Sequence, residues 1–215
     1  MGAAGDHTGP LTGALLAGHD RPRLGHLLRL PAYRAYVGLA TLTYSGLFAW
    51  ISGSSFILQG IYGMSEIAFG FSFLVVVLGY VGGTILAQRL VVRRGPERTV
   101  GTGIGCLFVG GVAMAALMAA GISSPIAVLL PMALYTCGVG LTLPPSMALA
   151  MAPFPDRAGA ASSFLGLCQM GCAALVGAGV GSLLGASAMP MALAIATTGT
   201  LALILFWTTR RIRGT

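Results

Sequence analysis

From about residue 36 onward the chain alternates long apolar runs with short links that hold the charge. The runs cover residues 36–59, 67–87, 99–120, 126–151, 158–184 and 189–207. At a rise of about 1.5 Å per residue, each is long enough to cross a hydrocarbon layer about 30 Å thick as a helix. Helices satisfy their own backbone hydrogen bonds, which lipid cannot do for them. The pattern predicts an all-α integral membrane protein. Six transmembrane helices occupy residues 34–209, between a polar tail over 1–33 and a short C-terminal segment over 210–215.

Polar positions inside the runs are grouped. On the first span Thr41, Tyr44, Ser45, Phe48, Ser52, Ser55 and Gln59 fall within roughly 60° of one direction, with Trp50 opposite. Hydroxyls and amides in a bilayer need partners or water, so this stripe meets either another helix or a wet cavity, and Trp50 faces lipid or a neighbouring helix. On the fourth span Pro131, Tyr135, Gly138, Thr142 and Ser146 share a face and form a second candidate cavity wall. Pro131, Pro144 and Pro145 each delete a backbone donor and are expected to break or bend that helix. On the fifth span Ser162, Gly166, Gln169 and Ala173 line one side, and Ala173, Gly177 and Gly181 continue it as a small-residue seam. Gln169 is the most polar side chain near mid-membrane, suited to interhelical bonding or to a ligand. The candidate substrate-facing set is Tyr44, Ser45, Phe48, Ser52, Tyr135, Thr142, Ser146 and Gln169.

Other local signals are structural. Ser65 and Glu66 have the form of an N-cap and a first-turn acid. Gly79 and Gly83 make a small-xxx-small pair for close helix approach. The run GTGIG at the start of the third span follows no strand, so it reads as packing and not as a nucleotide loop. Gly95 and Pro96 stop the second helix.

Hydrophobic residues make up 56% of the chain and charged residues 8%, too few charges for a soluble domain. The formal charge of +7 comes entirely from arginine, since the chain has no lysine. These arginines sit at the ends of the apolar runs, where lipid phosphates and the positive-inside rule account for them, and nucleic acid is not an expected partner. Arg29 and Arg34 flank Pro31 before the first span, and Arg89, Arg93, Arg94 and Arg98 cluster between the second and third. Arg157 lies between the fourth and fifth, and Arg210, Arg211 and Arg213 follow the sixth. This spacing puts both termini on the cytoplasmic side. Cys106, Cys137, Cys168 and Cys172 read as small buried hydrophobes. His7, His19 and His26 lie in the tail, so no metal site, cofactor site or catalytic group is expected within the spans.

Three segments carry a family resemblance. GGTILAQRLVVRRGPER (residues 82–98) is similar to the degenerate second copy of the short cytoplasmic loop signature of the major facilitator superfamily, with Gly83, Arg89, Arg94, Gly95 and Arg98 in the motif and Gln88 where the fuller form has Asp. PPSMALAMAPFPDRAGAASSFLGLCQMGCAALVG (144–177) resembles the penultimate hairpin of its bicyclomycin-resistance (Bcr/CflA) drug–proton antiporters, and LFAWISGSSFILQGIYGMSEIAFGFSF (47–73) resembles their seventh helix and the following turn. The resemblance implies the C-terminal six-helix half of a twelve-helix bundle in a bacterial plasma (inner) membrane, with residues 1–33 in the place of the central loop. It implies proton-driven efflux of small, amphipathic, drug-like molecules by alternating access. No Asp, Glu, Lys, Arg or His lies inside the six expected spans, so a coupling carboxylate has to come from a missing or separate N-terminal half. The alternative is a truncated or split product that inserts in the membrane but is inactive without that half.

Overall fold

The computed structural model describes residues 29–213 apart from Ser123, Leu184 and Ala186. The readings placed on residues 1–28, including the three histidines, lie outside the described residues. The described chain is helical throughout: α1 (Pro31–Ser55), α2 (Glu66–Arg94), α3 (Pro96–Ala119), α4 (Pro125–Met151), α5 (Ala158–Leu183), α6 (Met189–Thr208) and the short α7 (Arg210–Arg213). A π-helical turn, Phe56–Ile61, extends α1, and a 3-10 turn, Pro155–Arg157, precedes α5.

Five helices, α2 to α6, are long and apolar enough to cross a membrane by length and composition. The protein is therefore a multi-pass membrane-helix bundle. At 25 residues α1 has the length as well. Its serines, threonines and glycines dilute its apolarity, and it stands among the spanning helices without sharing their composition.

The helix ends follow local chemistry. The Ser65 side chain accepts from the Ala68 amide and caps α2, with Glu66 in the first turn. Between α2 and α3 stands one residue, Gly95, at φ +83°. That conformation suits a residue without a Cβ, and Pro96 then opens the next helix with φ already set. The expected loop is thus shorter than its motif suggested. Arg89, Arg93 and Arg94 belong to α2, and Arg98 to α3. At 29 residues α2 spans about 43 Å, so its arginine-bearing turns project beyond a hydrocarbon layer of about 30 Å. Helices also extend past the expected spans elsewhere, which places Glu97 in the first turn of α3.

The three prolines do not break α4, which runs unbroken from Pro125 to Met151 with Pro131, Pro144 and Pro145 inside it. Each removes a single donor, and packing on both sides of α4 holds the remaining ladder together. The cysteines also depart from expectation: Cys106, Cys137 and Cys168 are half-buried and Cys172 is exposed.

The packing is symmetric between two triplets. Helix α1 packs on α5 and α6 as α4 packs on α2 and α3, α1 meets α4, and α3 meets α6. The result is a row, α2–α4–α1–α5, backed by α3 behind α4 and α6 behind α1. The pattern of these helix pairs is unchanged when α1–α3 are exchanged with α4–α6. Glycine makes each crossing close. The Cα of Gly83 lies so near the Cys137 carbonyl that a Cβ would overlap it, and a Cβ on Gly79 would stand 2.5 Å from the Ala133 oxygen. On the other side, a Cβ on Gly53 would meet Met191 at 3.0 Å, and one on Gly38 would meet Leu205 at 2.8 Å.

At the arginine-rich end a charged clasp joins three helices. The Tyr36 hydroxyl of α1 donates to Glu97 of α3, whose other oxygen pairs with the Arg213 guanidinium of α7 at 2.6 Å. Arg213 also donates to the Phe206 carbonyl at 2.5 Å and to Thr209 Oγ1 at 3.0 Å, and lies 4.0 Å from the centre of the Phe206 ring.

Gly83 and Gly82 give a matched test, since nothing stands within 4 Å of a Cβ on Gly82. Gly83→Leu is expected to cost ~1–3 kcal/mol or more, because a backbone carbonyl cannot move aside as a side chain does. Gly82→Leu is expected to leave stability unchanged. Thermal melts of the two variants in detergent check this.

Candidate functional site

The face of the row that α3 and α6 do not cover is open. On α1 it presents Tyr44, Phe48 and Ser52. Tyr44 and Phe48 are half-buried with ring centres 5.8 Å apart, and Ser52 is exposed. The neighbour along this edge is α5. A Cβ on Gly177 would meet Ser52 Oγ at 2.7 Å and the Phe48 ring at 3.5 Å, so the small-residue seam lets α5 close onto the polar stripe. The seam is shorter than its sequence suggested, because nothing lies within 4 Å of a Cβ on Gly181.

Gln169 joins this edge. It belongs to the buried side of α5, with Ala161, Leu165, Ala173, Gly177 and Val180, and that side faces α1. The two helices run parallel in a register fixed at both ends. Tyr33 donates to the Ala161 carbonyl at 2.8 Å, and Gly53 packs against Val180. Carried to the middle, that register sets Gln169 level with Thr41. Both are buried, and neither Gln169 Nε2 nor Thr41 Oγ1 has a hydrogen-bond partner within the protein. Two unpaired polar atoms at one depth leave the α1–α5 seam unsatisfied, a costly arrangement unless water or a ligand completes it.

The other expected members do not reach the open face. The side of α4 carrying Pro131, Tyr135, Gly138 and Thr142 is the seat of α3 and not a cavity wall. A Cβ on Gly110 would meet the Pro131 oxygen at 2.7 Å, and one on Gly138 the Gly103 oxygen at 2.7 Å, while Gly103 faces Thr142. Tyr135 is fully buried between α1 and α6, its hydroxyl against Gly46 and 3.3 Å from Thr198 Oγ1. Ser146 is buried with an unpartnered hydroxyl, and Ser45 spends its hydroxyl on the Thr41 carbonyl at 2.8 Å. A helical wheel gives the direction of a residue but not the neighbour found there, and hydroxyls serve a helix seam as readily as a cavity.

One feature of α1 away from the polar stripe escaped the sequence reading. A cavity of about 190 Å³ lies between α1, α2 and α4, lined by Leu47, Trp50, Ile51, Phe73, Val77 and Tyr80 among others. Trp50 is fully buried there, with its indole N–H unpartnered. Beside it, the Thr136 hydroxyl donates to the Val76 carbonyl at 2.9 Å and ties α4 to α2. The placement of Trp50 opposite the polar stripe was the available signal, and of the two expectations for it, lipid or a neighbouring helix, burial against α2 and α4 answers to the second. Among the described residues no group of His, Cys, Asp and Glu gathers to hold a metal ion.

A profile of the Major Facilitator Superfamily matches residues 5–177. The chain belongs to the major facilitator superfamily. This is a superfamily of transporters and not of enzymes, in keeping with a site built from hydroxyls, rings and an amide. The chain is 28% identical over 165 residues to a bicyclomycin resistance protein homolog of Haemophilus influenzae, an alignment covering 73% of this chain and 39% of that protein. It is 26% identical over 190 residues to YdgK, an uncharacterized MFS-type transporter of Bacillus subtilis, covering 86% and 45% respectively. The chain spans less than half the length of the curated relatives it matches.

Replacing Gln169 by Leu is expected to leave the melting temperature in detergent unchanged or to raise it, because a buried unpaired donor is removed while the volume is kept. A loss of ~1–3 kcal/mol would instead show the amide to be partnered.

Proposed function

We propose that this chain forms the C-terminal six-helix half of a proton-coupled exporter of small amphipathic molecules, with α1 as its sixth membrane span. The carrying observation is the uncovered face of the α2–α4–α1–α5 row, where Tyr44, Phe48 and Ser52 stand beside an unsatisfied Gln169–Thr41 seam. An N-terminal half covering that face would enclose a midplane cavity between two inverted-repeat units, and rocking of one unit against the other would expose it to each side in turn. Helix α1 fits this role, because a span whose polar stripe faces a cavity needs less apolar surface than one surrounded by lipid. The name of the Haemophilus influenzae relative supports a drug-like cargo.

The arginines support one orientation in this reading. The α2–α3 junction, the Arg157 turn and α7 carry them at one end of the bundle, and the positive-inside rule supports a cytoplasmic location for that end and both termini in a bacterial plasma membrane. Domain limits follow as a membrane unit over residues 34–209, with a tail before it in the place of the central loop and a short segment over 210–215 after it.

The acids constrain the mechanism. Among the described residues only Glu66, Glu97 and Asp156 are acidic, each at a helix end or in a turn. The coupling carboxylate therefore belongs to the other half, and the substrate side chains to both. A chain that inserts without that half and transports nothing is the competing reading.

Expressed alone, the chain is expected to give no drug tolerance. Co-expressed with an acid-bearing N-terminal half, it is expected to give tolerance that collapses on adding a protonophore. In that assembly Tyr44→Ala, Phe48→Ala and Ser52→Ala should shift the drug profile by on the order of tenfold for the compounds that lose a contact, at unchanged membrane abundance. Tolerance unaffected by all three substitutions would show the stripe to be interhelical packing alone.

A further inference from the structure

We propose that the open cavity between the first turn of α3 and the end of α6 binds the phosphate of an anionic phospholipid, with Arg98 and Arg210 as its ligands. The cavity has a volume of about 610 Å³ and lies at the arginine-rich end of the bundle, on the side away from the open row. Arg98 is the third residue of α3, and Arg210 begins α7 just beyond α6. Both guanidiniums therefore stand at the depth where the helices leave the hydrocarbon and lipid headgroups begin.

The charge at this place is unbalanced. Glu97 also borders the cavity, but its carboxylate is engaged by Arg213 at 2.6 Å and by the Tyr36 hydroxyl. Among the described residues this is the one ion pair, so no carboxylate is paired with Arg98 or Arg210. The first turn of α3 adds to it, since Gly95 provides no side-chain cap and the leading amides of a helix carry positive potential. Arginine suits a phosphate in particular, because its fork of donors matches two oxygens at once.

The rest of the wall explains why the ligand is a lipid and not a free anion. Leu203, Phe206 and Trp207 give the cavity an apolar side. Trp207 is 62% exposed, and the Arg210 guanidinium lies 5.8 Å from its ring centre, which holds the charge at the mouth of the cavity above an apolar floor. Gly101 lets the Phe206 ring lie against α3 as part of that floor, since a Cβ there would meet the ring at 2.9 Å. A phosphate between the two arginines would send its acyl chains down along Phe206 and Leu203, contacts that inorganic phosphate cannot make. A zwitterionic lipid brings its own cation to a site that already has two, so the preference is for net-negative headgroups.

The test uses the full chain in nanodiscs with Trp50→Phe, so that Trp207 is the single fluorophore. Phosphatidylglycerol with brominated acyl chains is titrated into a phosphatidylcholine background, and brominated phosphatidylcholine serves as the reference. Each arginine near a membrane surface contributes about fivefold, so quenching of Trp207 is expected to show a preference of roughly thirtyfold for the anionic lipid. Arg98→Ala with Arg210→Ala should abolish that preference, while Arg93→Ala with Arg94→Ala, on α2, should preserve it. Equal quenching by the two lipids in the arginine-bearing chain overturns the proposal without reference to any variant. A preference that survives loss of Arg98 and Arg210, or one erased by inorganic phosphate at matched ionic strength, also overturns it, the latter by assigning the cavity to a soluble anion.

Discussion

The close approach of helix backbones through glycine is the interaction on which the rest of this structure depends. Lipid tails are as apolar as leucine, so burying an apolar helix face against another helix gains little over leaving it in the bilayer, and association has to come from dense packing and hydrogen bonds. The chain contains 33 glycines, and those at the crossings stand where a methyl group would strike a neighbouring backbone. Gly83 and Gly140 bring α2 to α4, Gly103, Gly110 and Gly138 bring α3 to α4, and Gly111 and Gly199 bring α3 to α6. With backbones this near, Thr136 reaches across to a carbonyl of α2 and Tyr135 reaches past Gly46 to Thr198. These polar side chains therefore follow from the glycine geometry. Glycines that face outward, such as Gly82 and Gly105, have open space around them and play no such part.

Close packing in the middle leaves charge to organise the ends. Every described arginine lies at a helix terminus or in the Pro155–Arg157 turn, and the clasp of Tyr36, Glu97 and Arg213 locks α1, α3 and α7 together at one rim. The side chain of Arg213 is fully buried there, and a buried guanidinium without its carboxylate would cost several kcal/mol, so clasp and rim form together. The same pairing neutralises Glu97 and leaves the adjacent arginines free. Packing and electrostatics are thus coupled through one carboxylate.

Much of this was legible in the chain because it is local. The Ser65 cap, the Gly95–Pro96 junction and the Gly79–Gly83 seam each depend on residues within one or two turns, and each is found where the residue types require it. The membrane-spanning character of α2 to α6 follows from composition over about twenty residues, whereas α1 shows the limit of that signal, since its polar stripe lowers its hydropathy although it sits at the centre of the row. What was not legible is which neighbour each face meets. The Tyr135–Thr142 side of α4 carries the same chemistry as the Tyr44–Ser52 side of α1, but one receives α3 and the other lies open. The Glu97–Arg213 pair was hidden for the same reason, because its members lie far apart in the chain and meet only once α3 and α6 have packed.

The distribution of titratable groups gives the last step. A proton carrier in a membrane transporter needs a group that ionises near neutral pH and sits where solvent access can alternate. The unpartnered polar atoms of the α1–α5 seam are the Thr41 hydroxyl and the Gln169 amide, and neither group is an acid or base that works near neutral pH. The described carboxylates, Glu66, Glu97 and Asp156, are at helix ends or in a turn, and the one in the clasp is paired with Arg213. On the proposed reading the six helices therefore contribute recognition, through Gln169, Thr41 and the Tyr44–Phe48 pair, and leave proton binding to the facing half. Energy coupling would then have to cross the interface, because protonation on one side of the cavity could act on substrate contacts on the other only by shifting how the two halves sit together. On that reading the exposed surface of the α2–α4–α1–α5 row would be a rocking surface as well as a binding wall, while glycine crossings such as Gly83 on Cys137 and Gly103 on Thr142 hold each six-helix unit together as it moves.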